Sequence, residues 1–222
     1  MIGLLQKTKI FSISFFILVG VLSLLLLFYN KVEVELYVNA HNNPFLDIFF
    51  RFFTNLGDGL AAVVVSLIFI IFNVRKGIIL LTGYLLSGLI IQLLKIFIFA
   101  DMLRPVALIG NSYPLHLVEG VKILTEHSFP SGHAGTAFAL FFCLAAYTDK
   151  KFLHFLALLT AIAIAYSRMY LSLHFLTDVV AGAVVGTITS LLLLTWFELK
   201  NILRNLDRPL FTIHRKYDEQ IN

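Results

Sequence analysis

The chain has 222 residues, a formal net charge of +4, and 59% hydrophobic residues, which give it a mean hydropathy of +0.90. This composition is far more apolar than that of a soluble globular domain, and the apolar residues form long uncharged runs. The basic residues lie in short patches between these runs and not along one polar face, which argues against a nucleic acid as partner.

The apolar runs match the roughly 20 residues that a helix needs to cross a bilayer. They lack the two-residue alternation of a membrane barrel. We therefore expect an all-α, polytopic membrane protein that forms one domain over residues 1–222. Six transmembrane helices are predicted, at residues 10–29, 56–74, 77–100, 133–148, 152–168 and 175–197. A signal peptide is the alternative for the first run, but its length and the absence of a small-residue cleavage site disfavour that reading.

Two features of the connections predict how the spans are joined. Charged residues at Arg75-Lys76 and at 149–151 predict tight turns, so the second and third spans, and the fourth and fifth, should be antiparallel neighbours. Residues 41–59 alternate apolar side chains with Asp47, Arg51 and Asp58, which predicts an amphipathic interfacial helix before the second span. Its aromatic residues either border a lipid entrance or simply anchor the helix.

The distribution of Lys and Arg predicts the orientation, because these residues cluster on the cytoplasmic side of membrane proteins. With both termini in the cytoplasm, eleven of the 17 basic residues are cytoplasmic: Lys7, Lys9, Arg75, Lys76, Lys150, Lys151, Lys200, Arg204, Arg208, Arg215 and Lys216. Residues 198–222 then form a charged cytoplasmic tail. The other six basic residues fall on the outer half.

A GxxxG pattern, Gly182 and Gly186, lies in the last span. Small residues at this spacing let two helices approach closely. The pattern predicts either packing inside the chain or a dimer face, and the sequence leaves the oligomeric state open.

Several polar residues at the outer ends of the spans have the chemistry of a phosphate site. Lys95, Arg104 and Arg168 lie in or beside apolar segments, where a charge is costly unless it has a partner or a function. Two histidines, His133 and His174, and Asp178 are predicted at the same face. Each of these residues taken singly has an ordinary structural explanation, but together they supply a nucleophile, an acid and three cations.

The spacing of these residues suggests their roles. His174 and Asp178 are four residues apart, so Asp178 is expected to bind one imidazole nitrogen and leave the other free to attack phosphorus. Ser131, Gly132 and His133 open the fourth span, where free backbone N–H groups favour phosphate binding. His133 is placed to protonate the leaving oxygen and then to activate water.

No cofactor is expected, because three cations can neutralise the phosphate oxygens without a metal ion. The carboxylates predicted at this face do not have the paired spacing of a metal cluster. The site residues are therefore predicted to hold no metal.

Three segments in fixed order resemble the type 2 phosphatidic acid phosphatase superfamily. They read KIFIFADMLRP from Lys95, PSGH from Pro130 and SRMYLSLHFLTD from Ser167. The resemblance covers residues 95–178, the phosphatase motif region, and the superfamily also includes soluble vanadium haloperoxidases. One departure is that eight residues separate Lys95 from Arg104, where the family pattern has six.

The resemblance implies a phosphohistidine at His174 oriented by Asp178, His133 as general acid and then base, and phosphate ligands at Lys95, Arg104, Ser131, Gly132 and Arg168. We therefore expect metal-independent removal of phosphate from a lipid phosphate or diphosphate at the non-cytoplasmic face. Membrane lipids and an amphiphilic lipid phosphate are the expected partners. The alternatives are a lipid-to-lipid phosphotransferase and a non-catalytic lipid-binding membrane protein.

Overall fold

The computed structural model describes residues 2–211, so Arg215, Lys216 and the end of the tail predicted at 198–222 lie outside the described residues. All regular structure in the described chain is helical. The α-helices are α1 (Ile2–Lys7), α2 (Lys9–Phe28), α3 (Lys31–Ala40), α4 (Pro44–Phe53), α5 (Gly59–Phe72), α6 (Val74–Phe97), α7 (Pro105–Ile109), α8 (Gly132–Ala146), α9 (Lys151–Tyr170) and α10 (Leu176–Leu199). Two short 3-10 turns occupy Thr54–Gly57 and Arg204–Leu206.

Four helices of the described chain are long and apolar enough to cross a membrane: α2, α6, α9 and α10. A fifth span results if α4 with the 3-10 turn and α5 are taken together, although this pair is bent by 56°. Helix α8 is apolar but only 15 residues long. The all-helical fold with several apolar helices of spanning length is confirmed, whereas the count of six spans and the interfacial helix stay predictions.

The connection predicted at Arg75-Lys76 is wrong by a few residues. The break between α5 and α6 falls at Asn73, whose side chain accepts a hydrogen bond from the backbone N–H of Lys76 and so caps α6. Arg75 lies in the first turn of α6 and donates to the carbonyl oxygens of Phe197 and Ile202. The two predicted helix pairs, α5 with α6 and α8 with α9, do pack against each other.

Helix α8 is the centre of the bundle, and its most extensive contact is with α10. Gly182 and Gly186 of α10 lie against the backbone carbonyls of Ser131 and Gly135, where any side chain would collide with the backbone. The GxxxG pattern is thus used for packing within the chain. This contact fixes the start of α8 against the start of α10.

Polar residues collect at the two ends of the bundle. One end holds Lys95 near the end of α6, Arg168 near the end of α9, and the beginnings of α8 and α10. The opposite end holds ion pairs between Lys7 and Asp149 (3.9 Å) and between Arg75 and Glu198 (3.2 Å). The predicted site residues therefore share one end, with the clustered basic residues at the other.

Candidate active site

His174 lies in the connection between α9 and α10 and is only 2% exposed. The backbone N–H groups of Leu173 and His174 both donate to the carbonyl oxygen of Arg168, which folds the connection back over the end of α9. Nδ1 of His174 lies 3.4 Å from Oδ2 of Asp178. The expected His174–Asp178 contact is present, although His174 precedes the helix and does not lie on it.

Asp178 is the third residue of α10, and its carboxylate turns back toward the start of the helix. Oδ2 accepts hydrogen bonds from the backbone N–H of Phe175 (3.0 Å) and from the hydroxyl of Ser128. These donors fix the carboxylate beside the imidazole of His174. Ser128 was not predicted, since nothing in the sequence relates it to a residue 50 positions away.

Arg104 contacts the other nitrogen of His174. Its Nη1 lies 3.2 Å from Nε2 and also donates to the carbonyl of Leu173, while its Nε donates to the carbonyl of Glu126. A guanidinium can only donate, so Nε2 is the acceptor and Nδ1 carries the proton toward Asp178. Burial lowers the pKa of His174 to about 3, and the ring is therefore a neutral imidazole at pH 7.

Arg168 is buried at the end of α9. Its Nη1 donates to the hydroxyl of Thr54 at 2.7 Å, and its Nε has no hydrogen-bond partner among the described residues. A buried guanidinium with an unused donor is costly unless an anion completes it. Arg168 is accordingly suited to bind an anionic group.

Lys95 lies in the last turn of α6 and is 9% exposed. The helix ends at Phe97, three residues before the predicted end of the third span. The chain then turns, and the backbone N–H of Arg104 donates to the carbonyl of Thr125. Lys95 interacts electrostatically with Arg104, Asp178 and Arg168. Among the described residues it forms no ion pair with Asp101 or any other carboxylate.

Ser131 caps α8, since its hydroxyl accepts from the backbone N–H of Ala134 at 3.5 Å. The side chain is fully buried, so Ser131 has a capping role. A Cβ built on Gly132 would meet no atom within 4 Å. The space beside the N-terminus of α8 is therefore open.

His133, the second residue of α8, joins the same cluster. It interacts electrostatically with Arg168, His174, Lys95 and Arg104. Its Nε2 lies 3.1 Å from Oδ1 of Asp58, the residue that precedes α5. Asp58 was predicted only as part of an interfacial helix, so its place beside His133 is a finding of the structure.

Glu35 on α3 is a further residue that the sequence did not indicate. It is fully buried, and neither carboxyl oxygen has a hydrogen-bond partner among the described residues. Burial raises its pKa to about 8. The group lies close to Ser172, in the connection that carries His174.

The described residues contain no group of three or more His, Cys, Asp or Glu side chains that could hold a metal ion. What they bring together is two histidines, one of them oriented by a carboxylate, and three buried cations. Such a cluster can bind a tetrahedral oxyanion and attack it with a neutral nitrogen.

Comparison with known families agrees with this chemistry. The model of the PAP2 superfamily matches residues 76–202, which is more than half of the chain. The protein therefore belongs to the PAP2 superfamily.

Individual relatives are phosphatases by name. The chain is 28% identical over 169 residues to an undecaprenyl-diphosphatase of Sulfolobus acidocaldarius, covering 73% of this chain and 76% of that one. It is 41% identical over 58 residues to a lipid A 4'-phosphatase of Bacteroides thetaiotaomicron, a match that covers 26% of each protein. The chain thus spans about a quarter of the latter relative's length.

A solved structure shares the fold. The crystal structure of Aquifex aeolicus LpxE superposes with a TM-score of 0.66 at 30% sequence identity, covering 73% of this chain and 93% of that one. This likeness shows the fold, and the long apolar helices of the described chain are those of an integral membrane protein.

Proposed function

We propose that the protein removes a terminal phosphate from a lipid phosphate or diphosphate by way of a phosphohistidine on His174. Membership of the PAP2 superfamily and the phosphatase names of its relatives support a lipid phosphate hydrolase. The observation that carries the mechanism is the pair of contacts on His174, with Asp178 at Nδ1 and Arg104 at Nε2.

In the first step, the lone pair of His174 Nε2 attacks phosphorus while the bond from phosphorus to the lipid oxygen breaks. The electron pair of that bond goes to the leaving oxygen, which takes a proton from His133. The proton on Nδ1 of His174 stays directed at Asp178, which stabilises the positive charge that develops on the ring.

In the second step, water attacks the phosphohistidine. His133 takes the proton of the water, the phosphorus–nitrogen bond breaks, and inorganic phosphate leaves with His174 restored. Arg104, Arg168, Lys95 and the N-terminus of α8 neutralise the phosphate oxygens in both steps, with Gly132 leaving room for them. No step requires a metal ion.

Topology supports a site at the non-cytoplasmic face. Lys7, Arg75, Lys76 and Arg204 lie at the end opposite to His174, and positive side chains favour the cytoplasmic side. Both termini are then cytoplasmic. On this model, α8 is a short sixth span that brings Ser131 and His133 to the outer face.

Helix α4 supports entry of an amphiphilic substrate from the membrane. Its exposed face carries Phe45, Ile48, Phe49 and Phe52, and the turn that follows it contacts Arg168 through Thr54. An apolar surface of this kind suits the membrane interface. Lipid acyl chains would therefore lie beside the site while the headgroup reaches the cations.

The experiment that tests the function is a phosphate-release screen of the purified full chain in detergent, against lipid monophosphates and diphosphates, with chelator present throughout. Release that requires a second lipid as acceptor would instead identify a phosphotransferase. Lipid binding without any phosphate release would indicate a non-catalytic lipid-binding protein and overturn the proposal.

A further inference from the structure

The turn Thr54–Gly57 and Asp58 form a fourth side of the site, outside the three sequence motifs. Thr54 accepts from Arg168, and the hydroxyl of Thr136 on α8 donates to the carbonyl of Gly57 at 2.8 Å. Gly57 lies so close to His133 that an added Cβ would be 3.3 Å from its side chain. The turn is thus fixed against the residues that it faces.

Asp58 does not have the usual role of an aspartate at a helix start. It is the N-cap residue of α5, yet its side chain makes no capping hydrogen bond, although Asp is among the preferred capping residues. Its carboxylate lies instead 3.1 Å from Nε2 of His133 and interacts with the charge of Arg168. The side chain is 54% exposed, so it is not a buried structural ion pair.

We propose that Asp58 sets the substrate class, by favouring lipid monophosphates over lipid diphosphates through its charge at the leaving-group side of the site. This inference rests on the proposed function, in which His133 protonates the leaving oxygen. Asp58 is a specificity-determining residue in this account and not a nucleophile or acid.

We assign the proton donor to Nε2 of His133, because the carboxylate of Asp58 can only accept and so keeps a proton on that nitrogen. The leaving oxygen must then come close to Asp58. A proton donor must be within about 3 Å of the oxygen that it protonates, and Asp58 already lies 3.1 Å from that nitrogen of His133. The leaving oxygen and the carboxylate of Asp58 therefore share the single proton of Nε2 and lie within a few ångströms of each other. The charge of the leaving group therefore interacts electrostatically with the carboxylate of Asp58.

The two substrate classes differ in that charge. When a monophosphate reacts, the leaving oxygen takes the proton of His133 and departs as a neutral alcohol. When a diphosphate reacts, the bridging bond breaks and the leaving group is a lipid monophosphate anion. Like charges a few ångströms apart repel, most strongly near a low-dielectric interior, so Asp58 penalises the second reaction alone.

The test compares a saturated isoprenoid lipid, phytanyl, as its monophosphate and as its diphosphate, so that the hydrocarbon chain is the same. Initial rates of release of the terminal phosphate give kcat/KM for each lipid with the purified full chain. For Asp58→Asn, which removes the charge but keeps the shape, we expect the diphosphate-to-monophosphate ratio of kcat/KM to rise about tenfold. Asp58→Ala should raise it similarly, and Asp58→Glu should keep it within about twofold.

Glu119→Gln is the matched control, because Glu119 is an exposed carboxylate of the long connection before α8. The diphosphate-to-monophosphate ratio of kcat/KM in this variant should equal that of wild type. A general loss of activity in Asp58→Asn and Asp58→Ala with an unchanged ratio would show a structural role and overturn the inference while the proposed function stands. If the wild-type chain releases phosphate neither from these two lipids nor from any lipid of the phosphate-release screen, the proposed function fails and the inference fails with it.

Discussion

Nη1 of Arg104 lies 3.2 Å from Nε2 of His174, so a proposed phosphate ligand directly contacts the proposed nucleophile. Because arginine can only donate, this contact assigns the lone pair of the imidazole to the side facing the cations. A phosphate bound by Arg104 would therefore approach the nitrogen from the direction in which its lone pair already points.

We predict that His174→Ala abolishes phosphate release, while His133→Ala still forms a phosphoenzyme, slowly. The first substitution removes the nucleophile, and the second removes only the acid for the leaving group and the base for water. Rapid quench with substrate labelled in its terminal phosphate measures both. Label retained on the His174→Ala protein after denaturation would show that another residue is the nucleophile.

Orthovanadate is expected to inhibit at concentrations well below those of substrate, and EDTA is expected to leave the rate unchanged. Trigonal-bipyramidal vanadate bonded to Nε2 of His174 resembles the in-line transition state, and such analogues bind far more tightly than substrates. Titration of the initial rate with each reagent checks this. Loss of activity in EDTA that Mg²⁺ restores would contradict the metal-free mechanism.

The proposed orientation predicts how single introduced cysteines react, in a variant whose own buried Cys143 is replaced by Ala. Cysteine at Asn111 or Lys122 should react with a membrane-impermeant thiol reagent applied from outside, and cysteine at Lys76 or Lys150 should not. Permeabilised membranes provide the control that all sites are reactive. The reverse pattern would place the site in the cytoplasm.

Much of the site could be predicted from the sequence because several of its features depend on residues that are close together in the chain. The spacing from His174 to Asp178 and the position of His133 at the start of a helix are short-range features, and the contacts on His174 agree with them. The contact is not made along one helix, however, because Asp178 in the first turn of α10 binds a residue that precedes the helix.

The residues that the sequence did not indicate act across long distances in the chain. Ser128 donates to Asp178, Thr54 accepts from Arg168, and Asp58 approaches His133. Helix packing brings each of these residues to its partner, and the periodicity of apolar residues in the sequence does not indicate such long-range contacts. The short connection at Asn73 was misplaced for a related reason, because the charge of Arg75 is satisfied by the carbonyls and Glu198 of a distant helix end.

Lys95→Ala is expected to lower kcat/KM by about a hundredfold or more, and Lys122→Ala is expected to leave it near wild type. Lys95 interacts with the charges of Arg104, Asp178 and Arg168, whereas Lys122 is an exposed residue of the connection before α8. The turn after Phe97 returns Arg104 toward Lys95 despite the long spacing. A collapse of activity in Lys122→Ala alone would assign the phosphate contact to the connection instead.

Glu35 should make the stability of the protein depend on pH. Its pKa is raised by burial from 4.5 to about 8, so between these values the native state keeps a proton that the unfolded chain has lost. Unfolding then releases a proton, and the free energy of unfolding falls as pH rises, by about 1.4 kcal/mol per unit within this window. The contribution of Glu35 to the free energy of unfolding is complete below pH 4.5 and is lost as the pH rises through 8.

Glu35→Gln, which is neutral at every pH, should flatten this dependence, and Glu119→Gln serves as the exposed control. The temperature of half-inactivation in detergent, measured at pH 5, 7 and 8.5, should separate Glu35→Gln from wild type most at pH 8.5. Equal slopes for the two proteins would mean that Glu35 is ionised in the native state, with a partner for its charge.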